Sequence, residues 1–224
     1  MRAIILDLET TGKKEPQVVE AAWLSLSDPE SLMIDEEYCQ RYRPDKPIEL
    51  GALATHHIMD EELTECPPSA TFTLPLDTGY IIGHNVDYDW ATIGKPEVKR
   101  ICTLALCRSL FPDLDSHSLG AMLYRFNRTG ARDRLRNAHN ALEDCRTCLI
   151  ILKNLLHHCG LTIEDRKTWE TVWTVSEKAR IPTVMTFGKH KGMKIKDVPW
   201  DYKDWLLKQT DVDPYLIIAL KAKS

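Results

Sequence analysis

Short apolar runs separated by polar turns dominate the first hundred residues of the chain. Such runs predict buried strands when they are bounded by turn residues and are too short for helices. The predicted strands cover residues 3–8, 18–26, 37–43, 80–85 and 101–104. Helix-like spacing lies between the third and fourth strands, over residues 48–63. Because strands and helices alternate along the chain, the pattern predicts the α/β class.

Helical spacing dominates the middle of the chain. Residues 104–111 and 118–126 are predicted helices, and an Arg-rich polar loop is predicted over 127–137. The longest helix signal covers residues 141–158 and ends before Gly160. Its apolar positions are spaced by three and four; they are Leu142, Cys145, Leu149, Leu152 and Leu156.

A different unit is predicted at the carboxyl end. Residues 186–192 have the composition of a hairpin turn, and two short helices are expected after it. We therefore expect a main domain over 1–160, a helical linker over 161–182 and a small α+β appendage over 183–224. No internal repeat is evident.

The composition indicates in which cellular compartment the protein is expected. Of the 224 residues, 43% are hydrophobic, but no apolar run approaches the roughly 20 residues that span a bilayer. Asp7 interrupts the first apolar run before a signal-peptide core could form. The seven cysteines are scattered, which fits a reducing cytoplasm. Cys145 and Cys148 have redox-pair spacing, but their place in an apolar helix favours a structural role.

Charge is unevenly distributed although the net charge is only −4. Residues 1–160 hold 17 Lys/Arg and 24 Asp/Glu, whereas residues 161–224 hold 12 and 9. The acidic balance argues against a protein that coats nucleic acid. An acidic body is expected if carboxylates are gathered around divalent cations, and a basic tail can still attract phosphates.

Three chain segments carry acids in unusual positions. Asp7 and Glu9 are two apart in a predicted strand, so they project from one face and repel each other unless cations or protons compensate. Asn85 and Asp89 follow the strand at 80–84, as an N-cap and an acid on the opening helical turn. Asn140 and Glu143 have capping-box spacing, as expected for a helix start; His139 lies just outside that helix, and Asp144 on its first turn.

The ordered set of motifs resembles the DEDDh exonuclease superfamily, the branch that contains the proofreading subunits of DNA polymerase III. The matching motifs are Asp7-x-Glu9-Thr-Thr-Gly, His84-Asn85-x-x-x-Asp89 and His139-x-x-x-x-Asp144. The resemblance implies a ribonuclease H-like mixed sheet flanked by helices. Asn140 stands where the other branch of the superfamily has a tyrosine, which indicates the histidine type of site.

Phosphodiester hydrolysis explains why such a motif set holds four carboxylates. Two divalent ions about 3.5 to 4 Å apart can stabilise the attacking and leaving oxygens, and Mg²⁺ or Mn²⁺ prefers oxygen ligands. The resemblance implies that Asp7, Glu9, Asp89 and Asp144 hold two such ions. His139, with an ordinary pKa of about 6.5, can take a proton from the attacking water. Asp87 adds a nearby carboxylate that leaves this ligand assignment open.

The same resemblance implies contacts with a nucleic-acid substrate. His56 and Ile58 would flank the 3′-terminal base or sugar, and Thr10 and Gly12 would let the backbone approach it. His84 and Asn85 of the second motif belong to the same substrate set. Arg134 and Arg136, from an Arg cluster close to His139, would border the active site and contact phosphates.

The tail resembles the carboxy-terminal region of exonuclease X-like proteins. The similar segments are Phe187-Gly-Lys-His-Lys-Gly192, Asp197-Val-Pro199 and Tyr202-x-x-Trp205-Leu206. The family resemblance implies a metal-dependent 3′→5′ exodeoxyribonuclease that acts on single-stranded or duplex 3′ ends, releases nucleoside 5′-monophosphates and takes part in DNA repair. Lys189 and Lys191, beside Phe187, are candidate phosphate contacts.

Three other functions stay open at this point. A 3′→5′ exoribonuclease would use the same cation cage, because discrimination against the 2′-OH depends on other contacts. A catalytically silent nucleic-acid adaptor is disfavoured, because an acidic cluster repels phosphate. A redox protein built on Cys145 and Cys148 is more remote. The sequence indicates neither a membrane association nor an obligate protein partner.

Overall fold

The protein divides into two compact units. The computed structural model describes residues 1–135, 140–161 and 167–222. The first unit is Met1–Ser176 and the second is Glu177–Ser224. The dividing point lies inside the segment for which a linker is predicted, and the boundaries at 160 and 183 stay a prediction.

The first unit is built on one five-stranded mixed sheet. The strands are β1 Arg2–Thr10, β2 Val18–Leu26, β3 Ile34–Arg41, β4 Thr78–Gly83 and β5 Lys99–Cys102. Their order across the sheet is β3-β2-β1-β4-β5. The pairs β1–β2 and β2–β3 are antiparallel, and the pairs β1–β4 and β4–β5 are parallel. The predicted α/β class with a mixed sheet is confirmed.

Apolar side chains cover both faces of the central strands. All nine residues of β2 are buried. On one face, Ile5 and Leu24 pack with Leu152 of helix α6, Ala141–His158. On the other face, Leu6 packs with Val86. Burial on both faces explains why these strands are continuous apolar runs in the sequence.

Helices connect the strands and follow the sheet. Besides α6, they are α1 Leu50–His56, α2 Val86–Thr92, α3 Thr103–Leu110, α4 Leu119–Phe126, α5 Arg128–Arg134 and α7 Trp169–Arg180. The longest, α6, has 18 residues. Within the described parts of the chain, no helix combines the length and the apolar character needed to cross a membrane.

Two sequence predictions about helices were wrong. The helix expected over 48–63 ends at His57, whose left-handed backbone (φ 58°) closes α1 before a short 3₁₀ turn. The loop expected over 127–137 contains α5, which the side chain of Asn127 caps at Gly130 N, 3.1 Å away. Arginine is a strong helix former, but a segment without apolar periodicity gives no helix signal.

The second unit contains a hairpin and two short helices. Residues 183–185 and 193–195 run antiparallel, with Ile195 N 2.9 Å from the Thr183 carbonyl oxygen. The helices are α8 Trp200–Leu207 and α9 Pro214–Lys221. The turn needs Gly188, which has φ 71° and whose added Cβ would lie 2.4 Å from the Tyr202 hydroxyl. The predicted α+β appendage is confirmed.

Candidate active site

Three carboxylates from two elements meet beside the sheet. Asp7 and Glu9 alternate on β1 and therefore share a face, and Asp144 lies on the first turn of α6. One carboxylate oxygen from each residue lies within 4.8 Å of the other two. This spacing allows one cation to contact all three side chains.

Asp89 is the fourth acid that the structure places here. It lies in α2, which follows β4, the parallel neighbour of β1, and it is buried. Its carboxylate accepts hydrogen bonds from backbone N–H groups, including that of Leu8, and its negative charge raises the pKa of Asp7. Asp89 lies outside the set of three within 4.8 Å, so it borders the site from the α2 side.

Asn85 is the N-cap residue of α2, as predicted. Its backbone is left-handed (φ 81°), and its side chain makes no capping hydrogen bond. Asparagine is one of the few non-glycine residues that tolerate this conformation. Asn140, in contrast, caps α6 through its side-chain oxygen, which lies 3.3 Å from Glu143 N.

Burial and mutual repulsion disfavour negative charge on these acids. Burial is the largest cause that raises the pKa of Asp7 well above its usual range, followed by Asp89 and Asp144. Burial, Asp144 and Glu20 raise the pKa of Glu9 to about 8, and burial raises that of Asp89 to about 7. Such a group of carboxylates is stabilised by cations or by protons. Its oxygen-only donor set fits hard divalent cations such as Mg²⁺.

Asp87 does not compete for the cation position. Its carboxylate forms an ion pair with Arg100, and its side chain is 43% exposed. The guanidinium of Arg100 in turn stacks over the ring of Trp90 at 3.9 Å. The four acids of the site are therefore Asp7, Glu9, Asp89 and Asp144.

Glu20 is a buried acid of the site that sequence reasoning missed. It lies on β2 directly opposite Glu9, and only 4% of its side chain is exposed. Its carboxylate accepts a hydrogen bond from Ala141 N at 3.1 Å and pairs with Arg41 at 3.2 Å. It therefore connects the start of α6 to the sheet. The sequence did contain a signal for Glu20, because it is a charged residue within the apolar run that forms β2.

A cavity of about 520 Å³ opens beside the acids. Five of the predicted site residues line it: Glu9, Thr10, Gly12, His56 and Asn85. Tyr88 and Glu49 also line it and had not been predicted. A cavity of this size is in the range of small-ligand sites, and Glu9 links it to the group of acids.

Hydrogen bonds fix the cavity wall at the end of β1. The Tyr88 hydroxyl donates to the Gly12 carbonyl at 2.8 Å and lies 2.6 Å from the Thr10 hydroxyl. Gly12 has φ 146°, and a Cβ there would fall 2.2 Å from the Glu49 carboxyl group. Any other residue at position 12 would displace the Glu49 side chain from the wall.

His56 and Ile58 are held by the protein itself. His56 is 6% exposed; its Nδ1 accepts from Ile58 N at 3.0 Å, and its Nε2–H donates to the Thr10 carbonyl at 3.2 Å. Burial lowers the pKa of His56, so the ring is neutral. Ile58 is 3% exposed and packs with Val19 and Leu63 in the core. The structure therefore places Ile58 behind the cavity wall, where it has little surface for a ligand.

His84 likewise uses both ring nitrogens within the fold. Its Nε2–H donates to the His117 carbonyl at 2.7 Å, and Nδ1 lies 3.0 Å from the Thr103 hydroxyl oxygen. Burial lowers the pKa of His84 to about 4. The structure thus places His84 as a neutral group that fixes the end of β4 rather than as a residue of the cavity wall.

The remaining predicted site residues fall in three places. His139 and Arg136 lie outside the described residues. Arg134, at the end of α5, lies 3.5 Å from the Glu143 carboxylate. Lys189 and Lys191 are exposed on the turn of the second unit. Their roles stay predictions.

The cysteine pair is structural in its surroundings. Cys145 and Cys148 are buried in α6, and the Cys145 Sγ lies 3.4 Å from the Ala22 carbonyl oxygen. Burial raises the pKa of both thiols. A redox function needs an accessible thiolate, so this geometry counts against the redox alternative.

Comparison with known families decides what kind of site this is. The family model described as exonuclease matches residues 4–152, a segment that contains all four acids of the site. The chain belongs to the exonuclease family. It is therefore an enzyme of the phosphodiester hydrolase class, and its sheet and helices form the ribonuclease H-like fold. The predicted exonuclease resemblance is confirmed.

The relatives of this exonuclease include proteins of the same length. It is 26% identical to exodeoxyribonuclease 10 of Escherichia coli (strain K12) over 97% of this chain and 96% of that protein. The solved structure of exonuclease X in complex with 5′ overhanging duplex DNA matches with a TM-score of 0.59 and 26% identity, over 76% of this chain and 99% of that one. Escherichia coli exonuclease I, solved with a dT13 oligonucleotide, shares the fold at a TM-score of 0.55 and 20% identity, over 71% of this chain and 42% of that one.

Proposed function

We propose that this exonuclease is a 3′→5′ exodeoxyribonuclease that releases nucleoside 5′-monophosphates from DNA ends. The observation that carries the proposal is the convergence of Asp7, Glu9 and Asp144, with Glu9 also lining a cavity of about 520 Å³. A terminal nucleotide in this cavity would bring the last phosphodiester next to the acids, which favours removal from an end.

DNA is the proposed substrate because two relatives support it. Exodeoxyribonuclease 10 is similar over nearly the whole chain, and exonuclease X was solved with duplex DNA bound. We extend the proposal to single-stranded and duplex 3′ ends and to a role in DNA repair in the cytoplasm. RNA is assayed beside DNA, because cations held by carboxylates act on the phosphate and do not distinguish ribose from deoxyribose.

Two divalent cations, Mg²⁺ or Mn²⁺, are the proposed cofactors. Asp7, Glu9, Asp89 and Asp144 would hold them. When bound, such ions neutralise charge on the scissile phosphate and help activate water. The raised pKa values of Asp7 and Glu9 support this role, because both carboxylates gain from a neighbouring positive charge.

The protein groups of the cavity would position the terminal nucleotide. Thr10 and Gly12 present backbone and a hydroxyl to the sugar, and Tyr88 keeps both in place. His56 and Asn85 would complete the wall around the base or sugar. His139 is the proposed general base, since an imidazole with an ordinary pKa of about 6.5 accepts a proton near neutral pH.

Other predicted contacts would act on the strand rather than on its last nucleotide. Arg134, Arg136, Lys189 and Lys191 are proposed to contact phosphates, because exposed cations supply most of the affinity for nucleic-acid backbones. His84 and Ile58 would act through the elements that they stabilise, since both are held within the fold.

A labelled-oligonucleotide assay tests the proposal. DNA and RNA strands carrying a 5′ label are incubated with Mg²⁺, Mn²⁺ or a chelator, and a parallel set carries the label at the 3′ end. We expect the 5′-labelled DNA to shorten one nucleotide at a time and the 3′-labelled DNA to give labelled mononucleotide at once. Preferential digestion of RNA, shortening from the 5′ end, or full activity in chelator would refute the proposal.

A further inference from the structure

The second unit contains a cavity that no part of the proposed reaction uses. Its volume is about 380 Å³, within the range of small-ligand sites. It lies between the residues that precede the hairpin, the second hairpin strand, and helices α8 and α9. Its walls include Pro182, Val184, Lys194, Lys196, Lys203 and Ala219.

Lys203 is the unusual member of this wall. It is 7% exposed, although lysine is among the residues that are least often buried. Its Nζ makes one long hydrogen bond, 3.4 Å from the Lys196 carbonyl oxygen. Among the described residues, no carboxylate pairs with it. A lysine side chain that is largely buried and has no paired carboxylate among the described residues is well placed to contact an anion in the cavity.

The surroundings of Lys203 are basic. Lys194 and Lys196 are exposed beside it, and residues 187–196 carry four lysines and no acid. The second unit as a whole holds ten Lys/Arg and six Asp/Glu, whereas residues 1–176 hold 19 and 27. The unit therefore attracts anions although the whole chain is acidic.

We propose that this cavity binds the phosphate group of a nucleotide. Lys203 would donate to the phosphate from inside, and Lys194 and Lys196 would contact it from the rim. The apolar wall at Pro182, Val184 and Ala219 suits the sugar or base attached to that phosphate. The choice of a nucleotide over other phosphate esters rests on the proposed function, which brings both DNA strands and free nucleoside monophosphates to the protein.

Matched variants separate this site from a purely structural lysine. Lys203→Met keeps the length and removes the charge. Lys208→Met is the control, because Lys208 follows the same helix but is 70% exposed in its side chain. If Lys203 serves as an anion contact, the Met variant should keep the melting temperature without ligand, since Met retains the apolar part of the side chain. A structural role would lower it.

Binding is measured on the full chain in chelator, which prevents hydrolysis. The probes are inorganic phosphate, dTMP and a fluorescent dT oligonucleotide, titrated by calorimetry and anisotropy. We expect Lys203→Met to weaken binding at least about tenfold, the usual effect of losing a charged hydrogen bond, and Lys208→Met to match the wild type. Dependence on Lys203 for dTMP alone assigns the site to free nucleotide, and dependence for the oligonucleotide assigns it to the strand.

Equal affinity of the wild type and Lys203→Met for all three probes would overturn the proposal. The double variant Lys194→Gln/Lys196→Gln is a second test. It changes exposed residues only and should therefore fold even if Lys203→Met does not. We expect it to weaken binding as well, and unchanged binding in this variant would also count against the proposal. Hydrolysis of labelled DNA with Mg²⁺ is scored separately. If the wild type does not hydrolyse the labelled DNA, the proposed function is refuted, but the binding result for this cavity is unaffected.

Discussion

At the scale of single residues, the site joins acids that resist ionisation with neutral histidines. Asp7 and Glu9 have raised pKa values because they are buried beside other acids, whereas burial lowers the pKa of His56 and His84. Burial thus disfavours the positively charged form of His56 and His84. The arrangement leaves the carboxylates as the groups that gain most from a divalent cation.

Replacing the proposed general base tests the residue assignments. His139→Ala should reduce turnover by roughly 10² to 10⁴, the usual span for losing a proton-transfer group, and leave DNA affinity in chelator unchanged. Steady-state kinetics and anisotropy measure the two quantities. Wild-type turnover in this variant would exclude His139 as the base.

His84 gives a pH prediction with a defined sign. Its pKa is about 4 in the folded protein against an ordinary 6.5, so the unfolded chain binds the proton first as the pH falls. The contribution of neutral His84 to the free energy of unfolding is fully present above pH 6.5. It decreases as the pH falls towards 4, and the total loss is up to about 3 kcal/mol. NMR titration of the imidazole should show a pKa near 4, and His84→Gln should flatten this part of the stability profile. A value near 6.5 would contradict the buried, neutral assignment.

The four acids could be predicted from the sequence because they fall in three ordered motifs that resemble those of an exonuclease superfamily. The residues that shape the cavity could not. Tyr88 and Glu49 reach the wall only because the turn after β1 returns towards α1 and α2, and no local pattern encodes that return. His56 and Ile58 were predicted as ligand contacts, and both are largely buried in the fold. A sequence motif does not show this burial, because it depends on the tertiary packing.

At the scale of elements, the site depends on how α6 is attached to the sheet. Glu20 on β2 accepts from Ala141 N at the start of α6 and pairs with Arg41 of β3. This contact fixes the end of the helix that presents Asp144. The sequence predicted the helix and its cap but not this attachment, because strand register decides which side chain faces Ala141.

Glu20→Ala should therefore destabilise the protein by about 1 to 3 kcal/mol, since it leaves a buried N–H without a partner. Glu62 is the matched control because it also pairs with Arg41 but is exposed, and Glu62→Ala should cost less than about 1 kcal/mol. Chemical denaturation gives both values. Equal, small effects would show that Glu20 does not hold α6.

At the scale of the whole molecule, an acidic catalytic unit and a basic second unit share one chain. The chain divides into compact units at residue 176, and the excess of Lys/Arg lies in the second unit. Such a charge distribution would let an enzyme with a net charge of −4 attract a polyanion locally. The second unit would add phosphate contacts to those proposed for Arg134 and Arg136.

Salt dependence tests that contribution in the full chain. If Lys189 and Lys191 each contact one phosphate, replacing both with Gln should lower the slope of log affinity against log salt by about 1.4 for a single strand. Anisotropy in chelator over a range of salt concentrations measures the slope. Lys208→Gln, at an exposed lysine of the same unit, is the control and should leave the slope nearly unchanged. An unchanged slope in the Lys189/Lys191 variant would remove these lysines from the interface.

Calorimetric titration with Mn²⁺ measures the cation site without any substrate. We expect the wild type to bind Mn²⁺ and Asp144→Asn to bind it much more weakly. Asp87→Asn, which changes the neighbouring ion-paired acid, should bind Mn²⁺ as the wild type does. Equal binding by the wild type and Asp144→Asn would contradict the proposed role of these acids as cation ligands.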